Sequence, residues 1–254
     1  QTTDLRHFTQ LESFRELEHG VEAVVSDVRT GEKSTISAHY MIACDGAASA
    51  VRRALDVKMT GNPALSYSVN IFLRSPQLLK MHQMGEAERY IFVGPNGTWA
   101  NMTVVDGREL WRITVIGNET MMDLDNFDPH AVIAKCIGRD DVPYELISVK
   151  PWRRTELTAE QMRHGRVFLA GDAAHTMSPT GGHGVSTGIA DIVNLGWKIE
   201  AMLQGWGGKG LLDSYDPERR PVAAKAAAAS ARNFRAWVSA KNTANIPDDT
   251  PEGA

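Results

Sequence analysis

Alternating apolar and polar positions run through the first part of the chain, and they predict β-strands. A short apolar run follows and ends at Asp45-Gly46, which is typical of a strand buried on both faces. Residues 49–55 then show a helical pattern, and Ser49 stands where a helix N-cap is expected. The predicted strands are residues 21–28, 34–38 and 40–44.

The middle of the chain has a different pattern, because strand-like stretches there follow one another with only turns between them. Such a series favours an antiparallel sheet. One helix is predicted at residues 129–137, with Asp128 as its N-cap and Pro129 in its first position. We expect residues 61–150 to form an antiparallel sheet domain inserted between two parts of another domain. Its predicted strands are residues 66–73, 89–93, 99–105 and 110–116.

Buried-strand character returns after the sheet region, followed by a glycine-rich loop and a long helix with one apolar stripe. Gly205 is expected to end that helix, and an alanine-rich helix comes last. Residues 1–60 and 151–254 are therefore expected to form one discontinuous α/β domain. The predicted elements are a strand at 167–170 and helices at 183–203 and 221–241, and the stripe consists of Val185, Ile189, Ile192, Gly196, Ile199 and Leu203.

Composition and charge exclude several classes of function. The 254 residues suffice for one large or two modest domains, and a hydrophobic content of 43% with 23% charged residues is that of an ordinary globular protein. A net charge of -4 and a pI near 6.1 give no basic surface for nucleic acid or for an anionic membrane. No apolar run has the length of a membrane span. We expect a cytoplasmic protein that binds neither nucleic acid nor membrane.

Metal and hydrolase chemistry have no support in the residue pattern. Cys44 and Cys136 lie far apart without ligand spacing, and they are expected to be buried free thiols. No zinc, Ser-His-Asp or phosphate-loop pattern is present, so we predict no metal site and assign no catalytic residue. Six histidines are expected to be scattered on the surface: His7, His19, His39, His82, His130 and His164.

The strongest chemical signal is residues 166–188, RVFLAGDAAHTMSPTGGHGVSTG. A buried strand would deliver Asp172 to its carboxyl end, where α/β folds place their ligands. A carboxylate at this place can accept hydrogen bonds from the hydroxyls of a polyol such as a ribityl chain. The following glycines let backbone N–H groups approach a flat ligand, and the helix N-terminus favours negative charge on it. The loop residues concerned are Pro179, Gly181, Gly182 and Gly184.

The chain resembles the single-component FAD-dependent aromatic hydroxylases of the para-hydroxybenzoate hydroxylase type, with the phenol and hydroxyphenylpropionate hydroxylases as the most similar branch. The resemblance covers essentially the whole chain, and its two fairly specific motifs are Gly171-Asp172 with the loop to Gly188, and residues 44–52, CDGAASAVR. Residues 191–199 and 215–222 resemble the helical continuation of this branch. The implied fold is α/β (α+β), a partial FAD-binding domain with an inserted antiparallel sheet as the substrate domain.

The resemblance also implies cofactors and site residues. FAD would be held at its ribityl chain by Gly171 and Asp172, and its isoalloxazine would be cradled by the loop and the helix start. The motif at 44–52 is implicated in binding FAD and the nicotinamide cofactor NAD(P)H. The implied cofactor-binding residues are Asp45, Gly46, Arg52, Gly171, Asp172, Pro179, Gly181, Gly182, His183, Gly184, Val185 and Ser186. Ser186 stands where the family usually has Asn, and His183 where an apolar or aromatic residue is frequent.

The implied reaction is hydroxylation of a phenolic ring. NAD(P)H would reduce FAD, O2 would give a flavin C4a-hydroperoxide, and an OH group would pass to the ring, while the protein binds, orients and excludes water. The inserted sheet would hold this small aromatic substrate, with Tyr90, Trp99, Asn101 and Trp111 as candidates.

One departure from the family concerns the N-terminal Gly-x-Gly-x-x-Gly for the FAD pyrophosphate, which this sequence does not contain. Together with the opening Gln1-Thr2-Thr3-Asp4 and the turn-rich residues 246–254, it favours a piece of a longer polypeptide. Such a piece is expected to carry no stoichiometric FAD by itself and to form homo-oligomers through an unpaired sheet edge. Two alternatives stay open, namely a catalytically inactive module and a related flavin halogenase or reductase.

Overall fold

The computed structural model describes residues 3–243 and residue 245, and the turn-rich stretch 246–254 lies outside the described residues. Two compact units divide the chain. Unit 1 consists of Gln1–Thr60, Leu157–Thr176 and Gly182–Ala227. Unit 2 consists of Gly61–Glu156, Met177–Gly181 and Ala228–Ala254.

Unit 1 contains a three-stranded antiparallel sheet and a small second sheet. The order of the first is β1-β2-β3 and that of the second is β10-β11-β4, in which β4 and β11 run parallel. The sequence pattern missed β1 because its side chains are mostly exposed and only Leu11 and Phe14 are half-buried. The strands are β1 Thr9–Leu17, β2 Gly20–Asp27, β3 Lys33–Ala38, β4 Met41–Ala43, β10 Arg163–His164, β11 Val167–Leu169 and β12 His175–Thr176.

The helices of unit 1 begin largely where their capping residues predict. Ser49 accepts a hydrogen bond from the backbone N–H of Arg52 and caps α1, as predicted. The predicted bounds of α4 are confirmed, and Gly205 follows it with a positive φ of 79°. The prediction that the last helix starts at Pro221 is wrong, because α5 begins at Tyr215. The Tyr215 hydroxyl donates to Leu169 O at 2.9 Å. The helices are α1 Ala50–Ala54, α4 His183–Leu203 and α5 Tyr215–Val238, the last of which continues into unit 2.

The apolar stripe of α4 does not form its buried face. Val185 is 76% and Ile189 59% exposed, whereas Asp191 and Lys198 are fully buried. The polar side chains can be buried because each has partners: Lys198 Nζ, for example, lies 2.7 Å from Glu218 Oε2 and 2.7 Å from Ser214 Oγ.

Unit 2 is built on antiparallel strands, as the turn-separated pattern predicts. They belong to a sheet of order β12-β9-β5-β8-β7-β6, in which β12 and the ends of β5 and β9 are contributed by unit 1. The long strand β9 crosses the predicted boundary at residue 150, so residues 151–156 group with unit 2. The elements are β5 Met59–Arg74, α2 Leu78–Met81, β6 Arg89–Gly94, β7 Gly97–Val104, β8 Leu110–Ile116, α3 Pro129–Ile137, β9 Glu145–Ala159 and α6 Ala240–Thr243.

The register of unit 2 gives its sheet one apolar and one polar face. Tyr90 on β6 pairs with Met102 on β7, Met102 with Ile113 on β8, and Ile113 with Ile71 on β5. All four are buried in the hydrophobic core of this unit. Because side chains alternate along a strand, the adjacent row points to the opposite face. The mixed α/β fold predicted from the sequence is confirmed by these elements and by the structural relatives described below.

Three further features concern single residues and the chain as a whole. Both cysteines are free thiols, but Cys44 is exposed rather than buried. His82 is not a surface residue, since it is 4% exposed and its ring packs edge-on against Tyr90 and Trp111. Among the helices of the described residues, none has the length and apolarity needed to cross a membrane.

Candidate functional site

The two sequence motifs of unit 1 come together at the carboxyl ends of parallel strands. Ala43 pairs with Leu169, so that Asp45-Gly46 and Gly171-Asp172 both follow directly at the same edge. A cavity of about 550 Å³ opens there. It is lined by Cys44, Gly46, Ala170, Gly171, Asp172, Val185, Gly188, Ile189, Ile192 and Val193.

Glycines shape this cavity by letting two backbones approach closely. Gly171 has a positive φ of 58°, and a Cβ on Gly188 would lie 3.2 Å from the Cα of Gly171. The second turn of α4 thereby lies against the Gly171 turn that follows β11. A Cβ on Gly184 would meet nothing within 4 Å, so the space beside the start of α4 is open.

This close approach gives a testable prediction for stability. Gly188→Ala places a methyl group against the Gly171 backbone, whereas Gly196→Ala adds the same methyl on the same helix with no atom from outside its own helical turn within 4 Å. Both changes gain helix propensity, so the difference between them isolates the crowding. We expect Gly188→Ala to be about 1–3 kcal/mol less stable than Gly196→Ala. Equal free energies in urea denaturation of the two variants would contradict the close contact.

A buried polar network anchors the Gly171 turn. Asp191, on α4, accepts hydrogen bonds through Oδ2 from the backbone N–H of Gly171 at 3.1 Å and from His175 Nε2 at 2.7 Å. Its Oδ1 accepts from Arg219 Nε at 2.9 Å. Asp191 and His175 are almost fully buried, so the ion pair with Arg219 is little screened by solvent. Sequence reasoning missed His175, and it read Asp191 only as part of the helical continuation.

Asp45 accepts a second hydrogen bond at the N-terminus of α1, in addition to the one accepted by Ser49. Its Oδ2 accepts from the backbone N–H of Val51 at 3.1 Å, although its side chain is exposed to solvent. Burial tends to raise the pKa of this carboxyl group, but hydrogen bonds from Ser49 and from backbone N–H groups outweigh it, and the net pKa is lowered. Asp45 therefore stays ionised at neutral pH beside the cavity.

Arg52 connects the two motifs of unit 1. Its Nη1 donates to Ala173 O at 2.8 Å and its Nη2 to Ala47 O at 2.9 Å. Burial lowers the pKa of this guanidinium. In this position Arg52 holds the turn that follows Gly171-Asp172, which is a positioning role for the cavity wall.

The remaining predicted cofactor residues divide between the two units. Asp172 is exposed and lines the unit 1 cavity together with Val185. Gly182 precedes α4 with a φ of 70° and has no side chain to cap it, so the first N–H groups of the helix lack that partner. His183, Gly184 and Ser186 form the first turn of α4. Pro179 and Gly181 belong to unit 2 and line a different cavity there.

That second cavity lies on the polar face of the unit 2 sheet and has a volume of about 540 Å³. Ile91 pairs with Asn101, Asn101 with Thr114, and Thr114 with Asn70, so this row crosses four strands. The indole rings of Trp152 and Trp237 supply apolar wall. The lining residues are Asn70, Arg89, Ile91, Asn101, Arg112, Thr114, Trp152, Arg154, Pro179, Thr180, Gly181 and Trp237.

Of the four candidates for substrate contact, only Asn101 lines this cavity. Tyr90 and Trp111 lie in rows that face the core, where Trp111 Nε1 donates to Ser75 O at 3.3 Å. Trp99 packs against Phe92 with 5.5 Å between ring centroids. Strand parity separates Tyr90 and Trp111 from Asn101, whereas Trp99 lies at the register shift between β6 and β7 opposite Phe92 and Val93. The aromatic residues that do line the cavity come from β9 and α5. Within the described part of the chain, no cluster of three metal-ligating side chains occurs.

A parallel strand pair whose carboxyl ends meet a helix N-terminus, with a glycine-lined cavity between them, defines a nucleotide- or flavin-binding α/β fold. Residues 1–230 match the FAD binding domain family, and the chain belongs to that family. The open cradle at Gly171 and Gly184 and the exposed Asp172 carboxylate fit such a cofactor.

Known proteins resemble this chain over nearly its whole length. A Streptomyces halstedii protein named as a polyketide hydroxylase is 39% identical over 242 residues, which cover 91% of this chain and 43% of that protein. The rebeccamycin biosynthetic enzyme RebC with reduced flavin has a TM-score of 0.83 and 35% identity, over 96% of this chain and 46% of that one. Aklavinone-11 hydroxylase in a ternary complex with FAD and aklavinone has a TM-score of 0.76 and 28% identity, over 94% and 45%.

These comparisons confirm the resemblance to FAD-dependent aromatic hydroxylases. The chain spans less than half the length of each of these three relatives.

Proposed function

We propose that the whole protein is an FAD-dependent monooxygenase that hydroxylates a phenolic ring of an aromatic polyketide-type substrate. The observation that carries the proposal is the glycine-lined cavity of unit 1 with Asp172 at its edge, since this is the chemistry that a ribityl chain and a flat isoalloxazine require. The hydroxylase names of the relatives support the reaction, and their polyketide substrates support the substrate class. A cavity of about 540 Å³ in unit 2 has room for several fused rings.

The residues of this chain would bind and orient the reactants. Asp172 accepts hydrogen bonds from ribityl hydroxyls, and the uncapped N–H groups at the start of α4 stabilise negative charge on the flavin. Trp152 and Trp237 flank a ring, while Asn101 and Thr114 offer it polar contacts. FAD held by these residues would supply the oxygen-transfer chemistry, with NAD(P)H as the reductant and O2 as the oxygen source.

The expected result with the whole protein is that NAD(P)H and O2 consumption rises when a phenolic polyketide is added, with a hydroxylated product formed in proportion. Product analysis by mass spectrometry, with 18O2 as the oxygen source, measures it. Cofactor consumption that yields only hydrogen peroxide would contradict hydroxylation. Absence of bound flavin would favour an inactive module, and a product that requires halide would favour a halogenase.

A further inference from the structure

Three arginines converge on the unit 2 cavity without a counter-ion. Arg89 and Arg112 lie on β6 and β8, both paired with Thr103 on the strand between them, and Arg154 lies on β9. All three line the cavity, and its described lining contains no acidic residue. Within residues 3–243 and 245, none of the three forms an ion pair, although arginines elsewhere on the unit do.

Arg154 is held rigidly in this wall. It is 4% exposed, and its guanidinium lies 4.5 Å from the ring centroids of both Trp152 and Phe234. Its Nη1 donates to the hydroxyls of Ser66 at 3.1 Å and Ser68 at 2.7 Å. Its Nε is buried and has no hydrogen-bond partner in the described structure. Hydroxyl and ring contacts fix the position of this cation but leave its charge uncompensated.

An uncompensated buried cation costs free energy, so its retention at a cavity points to a ligand that supplies the missing charge. Burial lowers the pKa of Arg154 to about 10, which leaves the side chain charged at neutral pH. Arg89 and Arg112 are exposed residues two strand spacings apart, roughly 10 Å, and both line the same cavity, so they add two like charges at its solvent side. An anion bound beside the three would offset part of this positive charge.

We propose that this cavity selects flat aromatic molecules that carry an anionic oxygen group, a carboxylate or an ionised phenol, and that Arg89, Arg112 and Arg154 bind this group. Guanidinium groups suit it because their planar N–H donors match two-oxygen or delocalised anions. The indole walls formed by Trp152 and Trp237 accept the ring system. The inference rests on the proposed function only in taking this cavity as the binding site of the ring.

Binding can be measured without turnover by comparing two probes of similar size, one anionic and one neutral. Anthraquinone-2-carboxylate and anthraquinone-2-carboxamide have the same rings, and their binding can be followed by calorimetry and by quenching of tryptophan fluorescence. We expect the carboxylate to bind at least about tenfold more tightly, the effect of one charge-assisted hydrogen bond. Equal affinities would overturn the proposal.

Variants of the three arginines test whether the tighter binding of the carboxylate depends on them. Arg89→Gln and Arg112→Gln should each weaken carboxylate binding by about tenfold and change carboxamide binding by less than about twofold. Arg108→Gln removes the same charge from an exposed turn of the same unit and should change neither. Arg154→Gln should act like the first two, with its folding checked by thermal denaturation; if it does not fold, the other two decide. Equal loss for both probes would overturn an anion-binding role.

A third probe separates the two sources of negative charge. 2-Hydroxyanthraquinone should bind more tightly above its own pKa than below it if an ionised phenol is sufficient. If its affinity does not change with pH while the carboxylate probe still binds more tightly than the carboxamide, the site requires a carboxylate. The outcome is independent of catalysis. Charge-selective binding without hydroxylation would sink the proposed function alone, whereas hydroxylation that is insensitive to Arg112→Gln would sink only the present inference.

Discussion

Asp191→Asn is expected to lower the free energy of unfolding of the chain by about 3–5 kcal/mol, the usual cost of removing one partner from a buried ion pair. The Asp191 carboxylate accepts hydrogen bonds from Arg219, His175 and the backbone N–H of Gly171. An amide in its place removes the negative charge that balances Arg219. It also turns one acceptor into a donor, which would face an N–H group and leave a buried donor unpaired.

Urea denaturation followed by circular dichroism measures this change, and Asp213→Asn is a matched control. Asp213 pairs with Arg163 at the surface and is 72% exposed, so its loss should cost no more than about 1 kcal/mol. The double variant Asp191→Asn with Arg219→Gln should recover part of the stability, because it no longer buries an unpaired charge. A single variant as stable as the control would show that the network does not support the Gly171 turn.

Asp172→Ala is expected to weaken FAD binding by the whole protein by about 1.5–3 kcal/mol, the range for hydrogen bonds to a charged group. Asp172 is exposed, follows the buried strand β11 directly, and lines the unit 1 cavity. Because the side chain is exposed, we expect the substitution to leave the stability of the folded structure unchanged. This separates Asp172 from Asp191, whose loss should act on folding.

Flavin titration of the apoprotein, followed by fluorescence quenching, measures the affinity. Asp213→Ala removes a carboxylate of the same unit that does not line the cavity, and it should leave the affinity unchanged. An unchanged affinity for Asp172→Ala, with a normal thermal transition, would make Asp172 a turn residue and move the ribityl site elsewhere.

Local patterns in the sequence were sufficient for most elements and for the cofactor motifs. Strand-like patterns located β2 to β8 and β11 but not β1 or β9. Ser49 and Asp128 cap their helices as predicted, because capping acts over a few residues. The resemblance to FAD-dependent aromatic hydroxylases assigned Gly171-Asp172 and Asp45-Gly46 to the same cofactor site. The structure brings both pairs to one cavity, since β4 and β11 are parallel neighbours.

Local sequence patterns did not predict the exposed strand β1 or which face of α4 is buried. The strand β1 carries too few apolar residues for a period of two, because most of its side chains face solvent. On α4, Asp191 and Lys198 are buried while Val185 and Ile189 are exposed, and hydropathy alone predicts the opposite. The partners that make this burial possible, His175, Arg219 and Glu218, come from other elements of the unit.

The sequence by itself determined most of the elements, the family and the glycine-rich cofactor motif, because each depends on patterns of residues that are near neighbours along the chain. Only the tertiary structure decided which side chains line the unit 2 cavity. Strand register turns Tyr90 and Trp111 into the core and Asn101 to the opposite face, and α5 and β9 bring Trp237 and Arg154 to it. Register and packing between distant segments set these positions, and a one-residue shift in register would exchange the two faces.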